Sequence, residues 1–220
     1  MIKNRWQPLW LNVGFIVKTE SLNEEENEIL QEVINIGMGQ AGASLAKLLD
    51  VFVNLSVPRV SWVNDDDFVV KVGELVAGSD DSWAGVRQAF YNQLEGEAFV
   101  LYGVNGCGQL ADLMGYDNNE GMAHEELLLD VTNILIGACL VGVAQQINKQ
   151  IDFAAPTLVG VDKPIDDLLY SRDREWDQCL LIEVNFHLEE SNFACHLVML
   201  MSEGSIEQLR SGLVSFMESY

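Results

Sequence analysis

Glu28, Glu32 and Asn35 stand at positions i, i+4 and i+7. At 3.6 residues per turn that spacing places all three side chains in one narrow stripe of a helix. Gly39 and Ala46 prolong the stripe, so that polar groups give way to side chains small enough for another surface to approach the backbone. At a constant offset of 98 residues the pattern recurs as Glu126, Asp130, Asn133, Gly137 and Ala144. A carboxylate can pair with a cation, and an asparagine amide both donates and accepts hydrogen bonds. On a single helix such residues would read as solvated complements of the helix dipole followed by a packing contact. Two observations weigh against that. Asparagine is a poor helix former, and it recurs in register in both copies, each time followed by 22 residues and then a proline, Pro58 or Pro156.

The stripes belong to a larger duplication. Residues 28–64 align with residues 126–162 without a gap, with identities at Glu28/Glu126, Val33/Val131, Asn35/Asn133, Ile36/Ile134, Gly39/Gly137, Ala46/Ala144, Pro58/Pro156 and Val63/Val161. Charge divides in the same way. The chain of 220 residues carries 12 basic and 34 acidic side chains, net -22, of which residues 21–119 and 120–220 hold -12 each and the first twenty residues +2. We therefore read residues 1–20 as an N-terminal extension and residues 21–220 as one domain made of two repeats, 21–119 and 120–220.

The elements that must position the stripes follow from pattern. Residues from Glu24 to Leu49 are rich in helix formers, acidic in the first turn and free of proline, with Ser21 or Asn23 as a cap. VFVNLSVPRVSWV reads as strand with Pro58 at an edge or bulge, and residues 64–67 as a turn. FVVKVGELV, WAGVRQAFYNQL and EAFVLYGV read as strands, punctuated by GSDD and by a hairpin turn at Glu95-Gly96, and CGQLADLMG as a short helix. The second half repeats the order. It has a helix from about Glu125 to Asn148, a strand around IDFAAPTLVGV, a polar loop, a hairpin of WDQCLLIEVNFHL and NFACHLVMLMS over Glu189–Asn192, and a last helix near Ser205–Glu218. Helix, strands and helix given twice imply an α+β fold with an antiparallel sheet and internal pseudo-two-fold symmetry.

The doubled stripe resembles the signature of the CheC/CheX/FliY family of chemotaxis phosphatases: Asp or Ser, three residues, Glu, two residues, Asn, twenty-two residues, Pro. Glu32, Asn35 and Pro58 match in the first half, and Asn133 and Pro156 in the second. The resemblance extends to NIGMGQAGASLAKLL, SVPRV and EGEAFVLYG…LADLMG and covers about residues 22–217. Glu28 and Glu126 stand where the family has Asp or Ser. Asp130 stands where it has Glu, which withdraws the carboxylate by one methylene and makes the first site the better one. The resemblance implies an internally duplicated CheC-like fold whose long helices bear the sites. It also implies a substrate, the aspartyl phosphate of a CheY-type response regulator that holds its own magnesium, so that the chain needs no cofactor of its own. Hydrolysis of such a phosphate depends on positioning water in line and on electrostatics rather than on a strong base. An amide suits both tasks, accepting from the water and donating to a phosphoryl oxygen without repelling it. In this reading Glu32, Asn35, Asp130 and Asn133 are catalytic, each carboxylate pairing with the regulator's lysine, and Glu28, Gly39, Glu126 and Gly137 contact the partner. The competing implication is a non-catalytic module that docks a response regulator, a CheD-like deamidase or the flagellar switch.

Other chemistry is less well supported. The acidity disfavours nucleic acid and anionic membranes as partners. The apolar run Ile134–Ala144 is short of the roughly 20 residues of a membrane span, and the interrupted N-terminal apolar stretch lacks a small-residue cleavage site, which suggests a cytoplasmic protein. Cys107, Cys139, Cys179 and Cys195 have no CxxC spacing and read as buried thiols of a reducing compartment. His187, His196 and Cys195 lack a closely spaced fourth ligand, His124 has no nearby nucleophile, and Asp65, Asp66 and Asp67 lack the rest of a calcium loop. We accordingly assign no metal site. No GxxxxGK phosphate loop occurs.

Overall fold

A computed structural model describes residues 22–77, 82–114, 121–169, 179–189 and 193–218. The N-terminal extension, GSDD and most of the turn over Glu189–Asn192 lie outside the described residues. The elements run α1 (Glu24–Leu49), β1 (Val53–Leu55), β2 (Arg59–Val63), α2 (Asp65–Val76), β3 (Trp83–Asn92), β4 (Gly96–Gly103), α3 (Val104–Leu113), α4 (Gly121–Gln146), β5 (Ile151–Phe153), β6 (Thr157–Lys163), α5 (Ile165–Leu169), β7 (Cys179–Leu188), β8 (Ala194–Ser202) and α6 (Glu203–Glu218). The same seven-element order thus occurs twice.

The strands form one antiparallel sheet in the order β1-β7-β8-β4-β3-β5, with β2 also on β7 and β6 also on β3. Each half donates its first two strands to the other half's hairpin. The two hairpins meet at the centre, where β4 pairs with β8 from Gly96↔Met201 to Tyr102↔Cys195. Through this exchange neither half completes its sheet alone.

Strand alternation then splits the core. Ala98, Val100 and Tyr102 of β4 face α1 and α4 in the larger cluster, together with Leu110 of α3 and Ile206, Leu209 and Leu213 of α6. Phe99 and Leu101 face the smaller cluster, built by Phe68, Val69, Val72 and Val76 of α2 and Leu168 and Leu169 of α5. A strand covered on both faces reads as a continuous apolar run, and β4 is buried along its whole length.

Three local expectations fail, two of them for the same reason. FVVKVGELV is a helix, not a strand. Val69, Val72 and Val76 sit with Phe68 on one side of α2 at helical spacing, and tertiary burial of that side outweighs their β propensity. Asn64 opens this helix rather than a turn, its side chain accepting from the Asp67 amide at 2.9 Å, so Asp65–Asp67 form a helix first turn. The polar loop of the second half likewise contains α5, the short counterpart of α2. Finally, α4 is long and apolar enough over His124–Gln146 to pass for a membrane span. Its apolar residues Leu127, Leu128, Val131, Leu135, Ile136, Cys139, Leu140 and Val143 are instead buried in the core.

Candidate functional site

The head of α1 is set by a capping box, in which Glu26 N donates to Asn23 Oδ1 and Asn23 N to Glu26 Oε2, both at 2.9 Å. Asn23 is therefore the cap. Glu26 also accepts from Arg210 Nε of α6 at 2.8 Å, which ties the first turn to the C-terminal helix. One face of α1 is buried through Leu30, Val33, Ile34, Gly37, Met38, Ala41, Gly42 and Leu45. That fixes the opposite face outward, and Glu28, Glu32, Asn35 and Gly39 are all exposed on it. On α4, Glu126, Asp130 and Asn133 are exposed and Gly137 is half-buried. The structure thus presents both stripes at the surface, each on a helix whose other side is held in the core.

The glycines of the stripes are open. A Cβ added at Gly39 or Gly137 would meet nothing within 4 Å, so neither serves helix packing. The glycines that do are Gly37, where a Cβ would lie 2.8 Å from Cys139 O and Val143 Cγ2, and Gly142, where it would lie 2.8 Å from Gly37 Cα. They form the crossing of α1 and α4. The stripe of the second helix ends sooner than its sequence suggests, because Ala144 is buried.

The two asparagines differ in their partners. Asn35 makes no side-chain hydrogen bond to any described residue. Asn133 Oδ1 accepts from Gln88 Nε2 at 3.0 Å, and the same nitrogen donates to Ala154 O at 2.9 Å. Ala154 lies in the break between β5 and β6, two residues before Pro156, so Gln88 links the helix asparagine to the segment that carries its distant proline. Gln88 was not singled out from sequence. The available signal is a polar residue in the inward series Ala84, Val86, Gln88, Phe90 of β3. A further polar tie steadies α4 next to Asp130 and Asn133. Tyr102 Oη of β4 donates to Leu128 O at 3.3 Å and lies 2.7 Å from Thr132 Oγ1, all of it buried.

The remaining candidates are structural or separate. His196 is 4% exposed, with Nδ1 2.8 Å from Asn185 Oδ1 and its ring edge-on to Trp83. Burial first, and the neighbouring His187 second, push its pKa down to about 4. Cys195 belongs to the larger core cluster on the opposite side of β8, so it does not converge with the two histidines. Among the described residues no group of three or more His, Cys, Asp or Glu is placed to hold a metal ion. Burial raises the thiol pKa values of Cys139 and Cys195, and Cys107 is half-buried. Sequence assigned His124 no neighbouring nucleophile, yet the fold brings Cys107 into the same cavity of about 370 Å³, with Glu125, Leu128 and Val161. That cavity includes none of the stripe residues.

Flagellar motor switch phosphatase FliY of Bacillus subtilis (strain 168) is 21% identical over 180 residues, which are 79% of this chain and 45% of its own. The chain therefore spans about half the length of that relative. The CheY-P phosphatase CheC of the same organism is 24% identical over 200 residues, 86% of this chain and 93% of its own. Among solved structures, Thermotoga maritima FliY superposes with a TM-score of 0.65 at 14% identity, covering 90% of this chain and 100% of that one. The FliG-FliM complex from H. pylori gives 0.60 at 10% identity, over 86% and 100%. No family model matches the chain. Along most of its length the chain is thus similar in sequence to two phosphatases, shares the fold of a third relative, and carries twice the spacing of asparagine and proline by which it resembles the CheC/CheX/FliY family.

Proposed function

We propose that the chain accelerates hydrolysis of the aspartyl phosphate on a CheY-type response regulator. The observation that carries this reading is the outward stripe Glu32, Asn35, Gly39, held on a helix whose other face is locked in the core, and given again as Asp130, Asn133, Gly137. A protein-borne phosphate demands an open surface rather than a pocket, and the unobstructed backbone at Gly39 and Gly137 lets a partner come close.

In the docked complex Glu32 pairs with a lysine beside the regulator's phosphate and sets the helix over it. One turn on, the Asn35 amide oxygen accepts a hydrogen bond from water, and its nitrogen donates to a phosphoryl oxygen. The water oxygen attacks phosphorus in line as the bond to the aspartyl oxygen breaks. The products are a free aspartate carboxylate and inorganic phosphate, with the water's proton passing to the phosphate. The regulator's own magnesium neutralises the charge, so positioning is the chain's contribution. Asp130 and Asn133 repeat these roles with a shorter carboxylate. The partner's chemistry and the soluble signalling role of such regulators also favour a cytoplasmic setting.

The decay of a phosphorylated receiver domain, followed with wild type, Asn35→Ala, Asn133→Ala and the double variant, tests the proposal. Acceleration that falls with each substitution and vanishes in the double variant is expected. No acceleration by wild type over a panel of the organism's own regulators would overturn it. Saturable binding without acceleration would instead favour a docking module for a regulator, a CheD-like deamidase or the flagellar switch, a reading to which the FliM-like fold lends support.

A further inference from the structure

The two halves are related closely enough that matching positions can be paired through their hydrogen bonds. Ser56 N donates to Asn185 O, and Ala154 N donates to Ala89 O, each at 3.0 Å. Ser56 and Ala154 occupy the same place in the repeat, so Asn185 matches Ala89, and the residues before them, Val184 and Gln88, match each other. Both are buried, at 1% and 2% exposure. Valine fills this place in one half, so packing does not require glutamine in the other. Glutamine is the costlier choice, because Gln88 Oε1 is buried without a hydrogen-bond partner among the described residues.

The orientation of the Gln88 amide follows from its neighbours. Ala154 O can only accept, so the end of Gln88 facing it is the nitrogen, and the second hydrogen of that nitrogen goes to Asn133, which must present its oxygen. We propose that Gln88 is a positioning residue of the second site, holding the Asn133 amide in one orientation from a buried, doubly anchored donor, while Val184 leaves Asn35 free to turn. This rests on the phosphatase reading of the stripes. Asn133 keeps its second lone pair and both N–H groups for water and phosphoryl oxygen. The bond from Gln88 polarises the Asn133 amide and strengthens it as a donor. Its orientation is set during folding, whereas Asn35 must be ordered at each encounter. The second site thus combines the shorter carboxylate with the better-organised amide.

Gln88→Val installs the residue that the fold already accepts in the matching place. It is to be made in Asn35→Ala, where only the second site works, and in Asn133→Ala, where only the first does. Turnover of a phosphorylated receiver domain is then resolved into kcat and KM. In the first background kcat should fall about three- to tenfold, the weight of one ordinary hydrogen bond, with KM little changed, while the first-site rate serves as the internal control. An equal fall in both backgrounds, no fall in the Asn35→Ala background, or an Asn35→Ala protein with no catalysis left to lose would each overturn the proposal. Side-chain amide order parameters measured by NMR on the wild-type protein do not depend on turnover. A rigid Asn133 amide that loosens in Gln88→Val, beside a mobile Asn35 amide, is expected, and equal mobility of the two would overturn the tether even if the protein is a phosphatase. A wild type that fails to accelerate hydrolysis, with the NMR contrast intact, would sink the phosphatase reading and leave the tether standing.

Discussion

Gly37 and Gly39 lie two residues apart on α1 and face opposite ways, and the same substitution at each should act in opposite directions. At Gly37 an alanine Cβ would stand 2.8 Å from Cys139 O and Val143 Cγ2 and 3.0 Å from Val143 N, where ordinary contact begins at 3.4 Å. Two of the three obstacles are backbone atoms of α4, which cannot rotate away. Relief therefore requires the helices to separate at their crossing by about 0.6 Å, the difference between 3.4 and 2.8 Å. Overpacking of a well-filled core costs about 1–3 kcal/mol, and the gain in helix propensity offsets roughly 0.5–1 kcal/mol of that. Gly37→Ala should accordingly lose up to about 2.5 kcal/mol, with the middle of the range at about 1 kcal/mol. Gly39→Ala meets no atom and should gain roughly 0.5–1 kcal/mol from propensity alone. Urea unfolding reads both as shifts of the midpoint at constant slope. A Gly37→Ala protein as stable as Gly39→Ala would refute the helix crossing on which the placement of both stripes depends. The same pair separates packing from docking. Gly39→Leu should fold normally yet bind a receiver domain poorly, and undiminished binding would remove Gly39 from the partner surface.

Asn35→Ala should leave regulator binding nearly intact while slowing dephosphorylation, whereas Glu32→Ala should weaken both. Titration of a receiver domain with each variant distinguishes them, and a binding defect in Asn35→Ala as large as that in Glu32→Ala would contradict the assigned roles. Because docking joins a chain of charge -22 to a lysine, affinity should fall as salt rises through the range in which exposed pairs are screened; a salt-independent affinity would argue for an apolar interface. His196 is held neutral in the fold, with its pKa moved from 6.5 down to about 4. The unfolded chain therefore binds a proton that the native state refuses between those values. Stability contributed by the neutral ring is present above pH 6.5, is lost as pH falls towards 4, and levels off below that, a change of roughly 3 kcal/mol. His196→Gln should flatten this part of the stability profile between pH 6.5 and 5, and an unchanged slope would show that other groups set it.

How much of this was legible in advance can be judged from individual elements. The long helices, their acidic heads and the outward stripes follow from composition and the 3.6-residue period. The duplication follows from an ungapped offset. The strand assigned to FVVKVGELV did not hold, because a short apolar run rich in valine satisfies either period and only the layer it covers decides between them. Of the candidate site, the spacing foretold that its carboxylates and amides share an exposed helix face. Gln88 was not, since it reaches Asn133 from a strand 45 residues away and carries no local pattern beyond one polar residue in an apolar series.

Sequence by itself determined which residues could do the chemistry and that they come twice, since side-chain type and helical spacing are local properties that survive without knowledge of neighbours. Only the tertiary structure decided what those copies are worth. It paired each half's first strands with the other half's hairpin, and assigned Gly37 to packing and Gly39 to open surface. It brought Gln88 within hydrogen-bond reach of Asn133, while Asn35 has no side-chain hydrogen bond among the described residues. These are contacts between segments far apart in the chain, and their energies depend on distance in space, which no spacing along the sequence encodes.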